Sequence, residues 1–181
     1  MNAREFLPPK AWLVFTLAFP LFSQLVAPGQ PVPRTNLPPV VLLNGHQNDC
    51  GSSSFASTFA STDQVLQGNG QVSLFFDSCS VKNRPSIEKL GSAFGDFVAA
   101  LRYQDGTPVN TVDIVAHSMG GLIVRSYLSG KQEQDNTFSP PPLTHIRKAV
   151  FIATPHFGSG IAAFGFGLDQ QLANSPAAAI S

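Results

Sequence analysis

The chain has 181 residues, 43% hydrophobic and 12% charged, with eleven basic side chains balancing eleven acidic ones. That length suits one domain and is ample for a buried core. Zero net charge excludes a general nucleic-acid binder, which needs a basic surplus, and fifteen Phe with so little charge exclude a disordered tail.

Arg4 and Lys10 precede an apolar run over 11–27 that ends in Leu25 and Ala27, the two positions that specify cleavage of a secretory signal. Pro20, Ser23 and Gln24 interrupt the run, which is shorter than the roughly 20 apolar residues of a membrane span. Residues 1–27 therefore read as a signal peptide, and the protein as secreted or periplasmic. The alternative is an uncleaved anchor, with membrane association through that segment; a mature chain starting at Pro28 separates the two. Residues 28–38 are a proline-rich, extended leader, and 39–181 are the folded domain.

From Pro39 the pattern alternates strand and helix. Val40–Leu43 is a continuous apolar run, as in a strand covered on both faces. Residues 52–67 carry Phe55, Phe59 and Leu66 at near-helical spacing, closed by Gly68-Asn69-Gly70. Val72–Phe76 is the second strand. After Pro85, a helix sets Ile87, Leu90, Phe94, Phe97, Val98 and Leu101 on one face and Glu88, Lys89, Ser92 and Asp96 on the other. Val112–Ala116 is the third strand, and Met119–Leu128 a helix stopped by Gly130. Residues 131–143 form a polar, proline-rich surface loop. Ala149–Ala153 is the fourth strand, and Leu168–Ala173 a short helix in a Gly- and Ala-rich tail. The alternation implies a three-layer α/β domain with a mostly parallel sheet.

Cys50 and Cys79 are the only cysteines. In an exported chain an even count permits one disulfide; two free thiols are the other reading. With no CxxC and no His/Cys ligand cluster, no metal site and no cofactor are expected.

The chemistry is concentrated in VDIVAHSMGGLIVRSYL, residues 112–128. An apolar strand runs into Ala116-His117-Ser118-Met119-Gly120 and then into a helix. This is the G-x-S-x-G nucleophile elbow with Ala in the first position. The turn is so tight that flanking side chains would collide with neighbouring strands, and Ala116, Gly120 and Gly121 supply the clearance. Ser118 is left at the carboxyl edge of the sheet and at a helix N-terminus, where free N–H groups favour developing negative charge. It is the candidate nucleophile, with the N–H of Met119 as one oxyanion donor. An ordinary helix-capping serine is the other reading of Ser118.

With Leu42-Leu43-Asn44-Gly45-His46-Gln47 after the first strand, the chain resembles the α/β-hydrolase superfamily, especially bacterial lipases and esterases. The resemblance implies that the backbone N–H of His46, or failing it Gln47, completes the oxyanion hole. Asn44 stands where the family usually has His. It also implies that His117 points away from the nucleophile and packs. Thr154-Pro155-His156-Phe157-Gly158-Ser159 is similar to the turn after the nucleophile helix in lipase-like and GPI inositol-deacylase-like hydrolases. The resemblance covers roughly residues 39–159.

A serine hydrolase needs a base and an acid, in this superfamily an Asp or Glu and then a His after the nucleophile, each on a loop following a further strand. Only His145 and His156 follow Ser118. His145 precedes the fourth strand and belongs at the opposite sheet edge. His156 is at the nucleophile's edge of the sheet and is a candidate base, although it matches the family's turn. Asp135 lies in the polar loop, and Asp169, after the fourth strand, is the candidate acid. The expectation is a carboxylic ester hydrolase of lipase or esterase type, its substrate an ester or lipid. Its triad acid and base would be missing from this chain, the fold incomplete at the carboxyl end, and the sequence an amino-terminal fragment, inactive alone. Acyl transfer uses the same parts. A non-catalytic, degenerate hydrolase fold serving as a binding or structural module is the alternative.

Overall fold

Four consecutive apolar residues make a stable strand only where both faces are covered, and β1 (Val40–Leu43) meets that condition, with no residue more than 2% exposed. The computed structural model describes residues 29–47, 54–82, 85–133, 137–142 and 144–159. Residues 1–28, Cys50, Asp135, Asp169 and the Leu168–Ala173 segment lie outside them. Three further strands, β2 (Ser73–Phe76), β3 (Val112–His117) and β4 (Ile146–Ile152), complete a parallel sheet of order β2-β1-β3-β4. Three helices connect them: α1 (Ser54–Gly68), α2 (Ile87–Ala100) and α3 (Met119–Ser129).

Alternation along the strands builds the layers. Val40 and Leu42 of β1 cluster with Phe55, Phe59 and Leu66 of α1. Val41 and Leu43 face the other way, into the cluster that holds Leu90, Phe94 and Val98 of α2 and Ile123 and Val124 of α3. The three-layer α/β domain expected from the sequence is observed. Its connectivity also sets the place for a ligand. β1 feeds α1 on one face, while its neighbour β3 feeds α3 on the other. Their carboxyl ends therefore border the crevice where strand order reverses, the usual binding position in open α/β sheets.

α2 begins at Ser86, whose Oγ accepts the Lys89 N–H at 3.2 Å. It approaches α3 closely through two glycines. A Cβ on Gly91 would sit 2.9 Å from the Tyr127 backbone nitrogen, and one on Gly95 would sit 2.7 Å from the Tyr127 ring. Phe94 meets Phe76 and Tyr127 edge-on, with ring centroids 5.3 and 5.5 Å apart. Burial pushes the Tyr127 hydroxyl above its ordinary pKa.

The structure departs from the sequence reading at several ends. β4 starts at Ile146, not Ala149, because it is an edge strand with one open face. Lys148 is exposed there, and Arg147 donates to both Asp113 carboxylate oxygens at 2.9 and 2.6 Å across a bulge beside Val112. Charged residues in such a strand hide it from a search for apolar runs. Ala153 leaves the strand at φ 51°. β2 begins at Ser73, and a 3-10 turn over Ser78–Ser80 follows it. In α1, Asp63 is only 4% exposed and accepts from Ser73 Oγ and, at 2.9 Å, from Gln67 Nε2. The buried carboxylate is thus satisfied by an i+4 partner on its own helix and by a tertiary partner in β2.

The described part of the proline-rich segment is fastened to the rest of the chain. Val32 is fully buried in the α2–α3 side of the core, donates its N–H to Arg102 O at 2.8 Å and accepts from Gln104 N–H at 3.1 Å. Arg34 lies 4.0 Å from the centroid of the Tyr103 ring and pairs with Asp105 at 2.9 Å. Hydrogen bonds from the Thr107 hydroxyl and then its backbone N–H, followed by Arg34, lower the Asp105 pKa from 3.8 to about 2. A depressed carboxylate stabilises the fold above its unfolded pKa and ceases to do so as pH falls through the folded value. The strap is therefore expected to loosen only between about pH 4 and 2. Carbon-13 titration of the Asp105 carboxyl checks this, and Thr107→Val is expected to raise the midpoint more than Arg34→Gln.

Candidate active site

The elbow forms because strand and helix meet without room for an ordinary turn. Ser118 takes φ 53° and ψ −125°, which a non-glycine residue adopts only when its surroundings hold it there. Its N–H donates to Ile152 O of β4 at 2.8 Å, and its carbonyl accepts from Gly121 N–H at 3.1 Å. Each small neighbour has a definite obstacle. A Cβ on Gly120 would lie 2.7 Å from both Leu43 O and Asn44 O. One on Gly121 would fall on the Thr154 side chain, with Cγ2 at 2.7 Å. Ala116 is fully buried in the core.

Ser118 precedes the first residue of α3, yet its hydroxyl makes no capping hydrogen bond. The helix-capping reading therefore loses its physical basis, and the Oγ is left for other work. It faces the loop after β1: a Cβ on Gly45 would lie 2.8 Å from Ser118 Cβ and 3.1 Å from Ser118 Oγ. The structure thus brings together the loop that carries His46 and the elbow that carries Met119. Met119 opens α3, so its N–H belongs to the first turn, which lacks intrahelical acceptors. Asn44 is 3% exposed, and its Oδ1 accepts from Gln47 Nε2 at 3.0 Å, which closes the 44–47 loop on itself. That clasp was not apparent from the sequence, where Asn44 stood out only as a departure from the family pattern.

His117 comes close to the loop after β1. Its Nδ1 lies 3.5 Å from where a Gly45 Cβ would be, on the same glycine that Ser118 faces. His145 stands just before β4, with Nδ1 3.3 Å from Asn110 O, at the opposite edge as expected. His156 lies in the turn after β4, its ring edge-on to Phe151 at 5.5 Å. Arg125 Nη1 donates to His156 Nδ1 at 3.0 Å and to His156 O at 3.2 Å. A guanidinium only donates, so in this contact Nδ1 is the acceptor. Asp77, at the same sheet edge just after β2, accepts the Cys79 N–H at 2.9 Å and caps the 3-10 turn.

The larger described cavity, about 560 Å³, is lined by Glu88, Asp96, Ser126, Lys131 and His145 among others, and none of Gly45, Ser118 or Met119 borders it. Lys131 donates to Glu88 there at 2.6 Å and holds the carboxyl pKa below its ordinary value. The elbow, with its strain and its uncapped hydroxyl, carries the chemical signal and the cavity does not. Among the described residues no three His, Cys, Asp or Glu side chains are grouped to hold a metal ion, and no helix is long and apolar enough to cross a membrane.

A protein-family profile described as putative serine esterase (DUF676) matches residues 40–175. No curated protein matches the chain.

Proposed function

We propose, from the premise that this chain belongs to the DUF676 family of serine esterases, that it hydrolyses carboxylic esters through an acyl-enzyme on Ser118. The observation that carries the reading is Ser118 itself: φ 53°, a hydroxyl that caps nothing, and Gly45 against its Oγ. Ser118 Oγ attacks the ester carbonyl and the N–H groups of Met119 and His46 receive the oxyanion, with Gln47 N–H as the second choice. The alcohol leaves, and water attacks the acyl-enzyme to release the acid and restore the hydroxyl. An alcohol in place of water gives acyl transfer. Lipids and other apolar esters are the proposed substrates.

His145 lies at the opposite edge and His156 Nδ1 pairs with Arg125, so neither is assigned as the proton acceptor. Asp169 keeps the role of candidate acid. The experiment compares the 181-residue chain with the product of the native locus, using a chromogenic short-chain ester and a fluorophosphonate. The locus product is expected to turn over ester and to gain the phosphonyl mass on Ser118, and Ser118→Ala to lose both. Robust turnover by the 181-residue chain alone would move the base to His156. A locus product that neither turns over nor labels would favour the non-catalytic reading.

We extend the proposal to export and to a Cys50–Cys79 bridge. Cys79 is not a free thiol in the structure. The exported protein, unfolded without reductant, is expected to titrate no thiol, and two thiols would refute the bridge.

A further inference from the structure

We infer that the Thr154–His156 turn is a splint that holds the nucleophile helix in place, with Arg125 and His156 as positioning residues for Ser118. The inference rests on reading Ser118 as the nucleophile. Three ties join the end of β4 to the start of α3. Ser118 N–H donates to Ile152 O at 2.8 Å. Thr154 seats its side chain in the space that a Cβ of Gly121 would need. Arg125 grips His156 at Nδ1 and at the backbone carbonyl. Positions 118, 121 and 125 follow the three-and-four spacing of one helix face, and Ile152, Thr154 and His156 meet them in that order. The turn therefore lies along α3 for two helical turns.

Its own geometry shows why a brace is needed. Ala153, between the first two ties, is the other described non-glycine residue at positive φ, 51°. Two strained residues thus sit at the carboxyl ends of adjacent strands, and strain of this kind persists only where neighbours over-determine it. The far end of the splint is fixed from both sides. Phe151 supports the His156 ring edge-on, and the His156 and Gly158 N–H groups close back on Thr154 O and Pro155 O at 2.9 and 3.0 Å. His156 serves here as an acceptor for Arg125.

Arg125→Ala and His156→Ala are each expected to slow fluorophosphonate labelling of Ser118 in the locus product by about tenfold, through misplacement of the hydroxyl. Ester KM is expected to hold while kcat falls. Arg125→Lys and His156→Gln, which keep a donor and an acceptor, are expected to recover part of the loss. Unchanged labelling in Arg125→Ala would overturn the inference. So would loss confined to the His156 variants, which would mark His156 as the base. Native-state hydrogen exchange on the 181-residue chain decides the matter without activity. Arg125→Ala is expected to lower protection of the Leu122 and Ile123 amides about tenfold, with Phe94 and Val98 in α2 unaffected. Equal protection in variant and parent would overturn the splint even if Ser118 labels. If the parent fails to label, the esterase reading fails, and exchange still decides the splint.

Discussion

Gly121→Ala is expected to deform the elbow and to remove esterase activity, and Thr154→Ala in the same chain is expected to restore part of both. The new Cβ would meet the Thr154 hydroxyl first, then Cγ2 at 2.7 Å and Cβ at 2.9 Å. Overfilling a packed site of this kind costs about 1–3 kcal/mol. Removing the hydroxyl and methyl of Thr154 leaves only its Cβ in the way, a conflict that a shift of a few tenths of an ångström relieves. Thermal midpoints and Ser118 labelling of the two single variants and the double variant form a cycle whose coupling is expected to be favourable. Additive losses would mean that Thr154 does not fill the space that Gly121 leaves. Gly120→Ala is the contrast. Its Cβ would strike the backbone carbonyl oxygens of Leu43 and Asn44 at 2.7 Å, and no side chain can yield, so no single second substitution is expected to rescue it.

Phe94→Ala is expected to be the most destabilising truncation in the core, by about 3–5 kcal/mol. Phe94 is fully buried and links Phe76 of β2 to Tyr127 of α3. The glycines of α2 bring the two helices too close for either to move into the void, so relaxation is small. Urea unfolding of the parent and the variant measures the loss, and a change below about 1 kcal/mol would contradict this packing. Phe157→Ala is the control. That ring is fully exposed, and its truncation is expected to stay within about 0.5 kcal/mol.

The parts of this protein legible from its sequence are those set by local pattern. Val40–Leu43 announces a strand covered twice because a continuous apolar run has few other stable fates, and the 87–101 stripe announces α2 because 3.6-residue periodicity survives without knowledge of its partner. The elbow is legible because a strand, small residues around a serine, and a helix occur together within 17 residues, 112 to 128. Parallel pairing follows from the strand–helix alternation.

What only the tertiary structure decided depends on contacts between distant residues. The start of β4 at Ile146 rests on Asp113 pairing with Arg147, and the leader's place rests on Val32 entering a core built by α2 and α3. The close approach of α2 to α3 rests on Gly91 and Gly95, against which Tyr127 lies. Above all, the sequence offers His156 as a base candidate at the nucleophile's sheet edge, and the fold sets a guanidinium 31 residues earlier against its Nδ1. A sequence states which groups exist and how they are spaced. Which lone pair is free is a property of the folded neighbourhood.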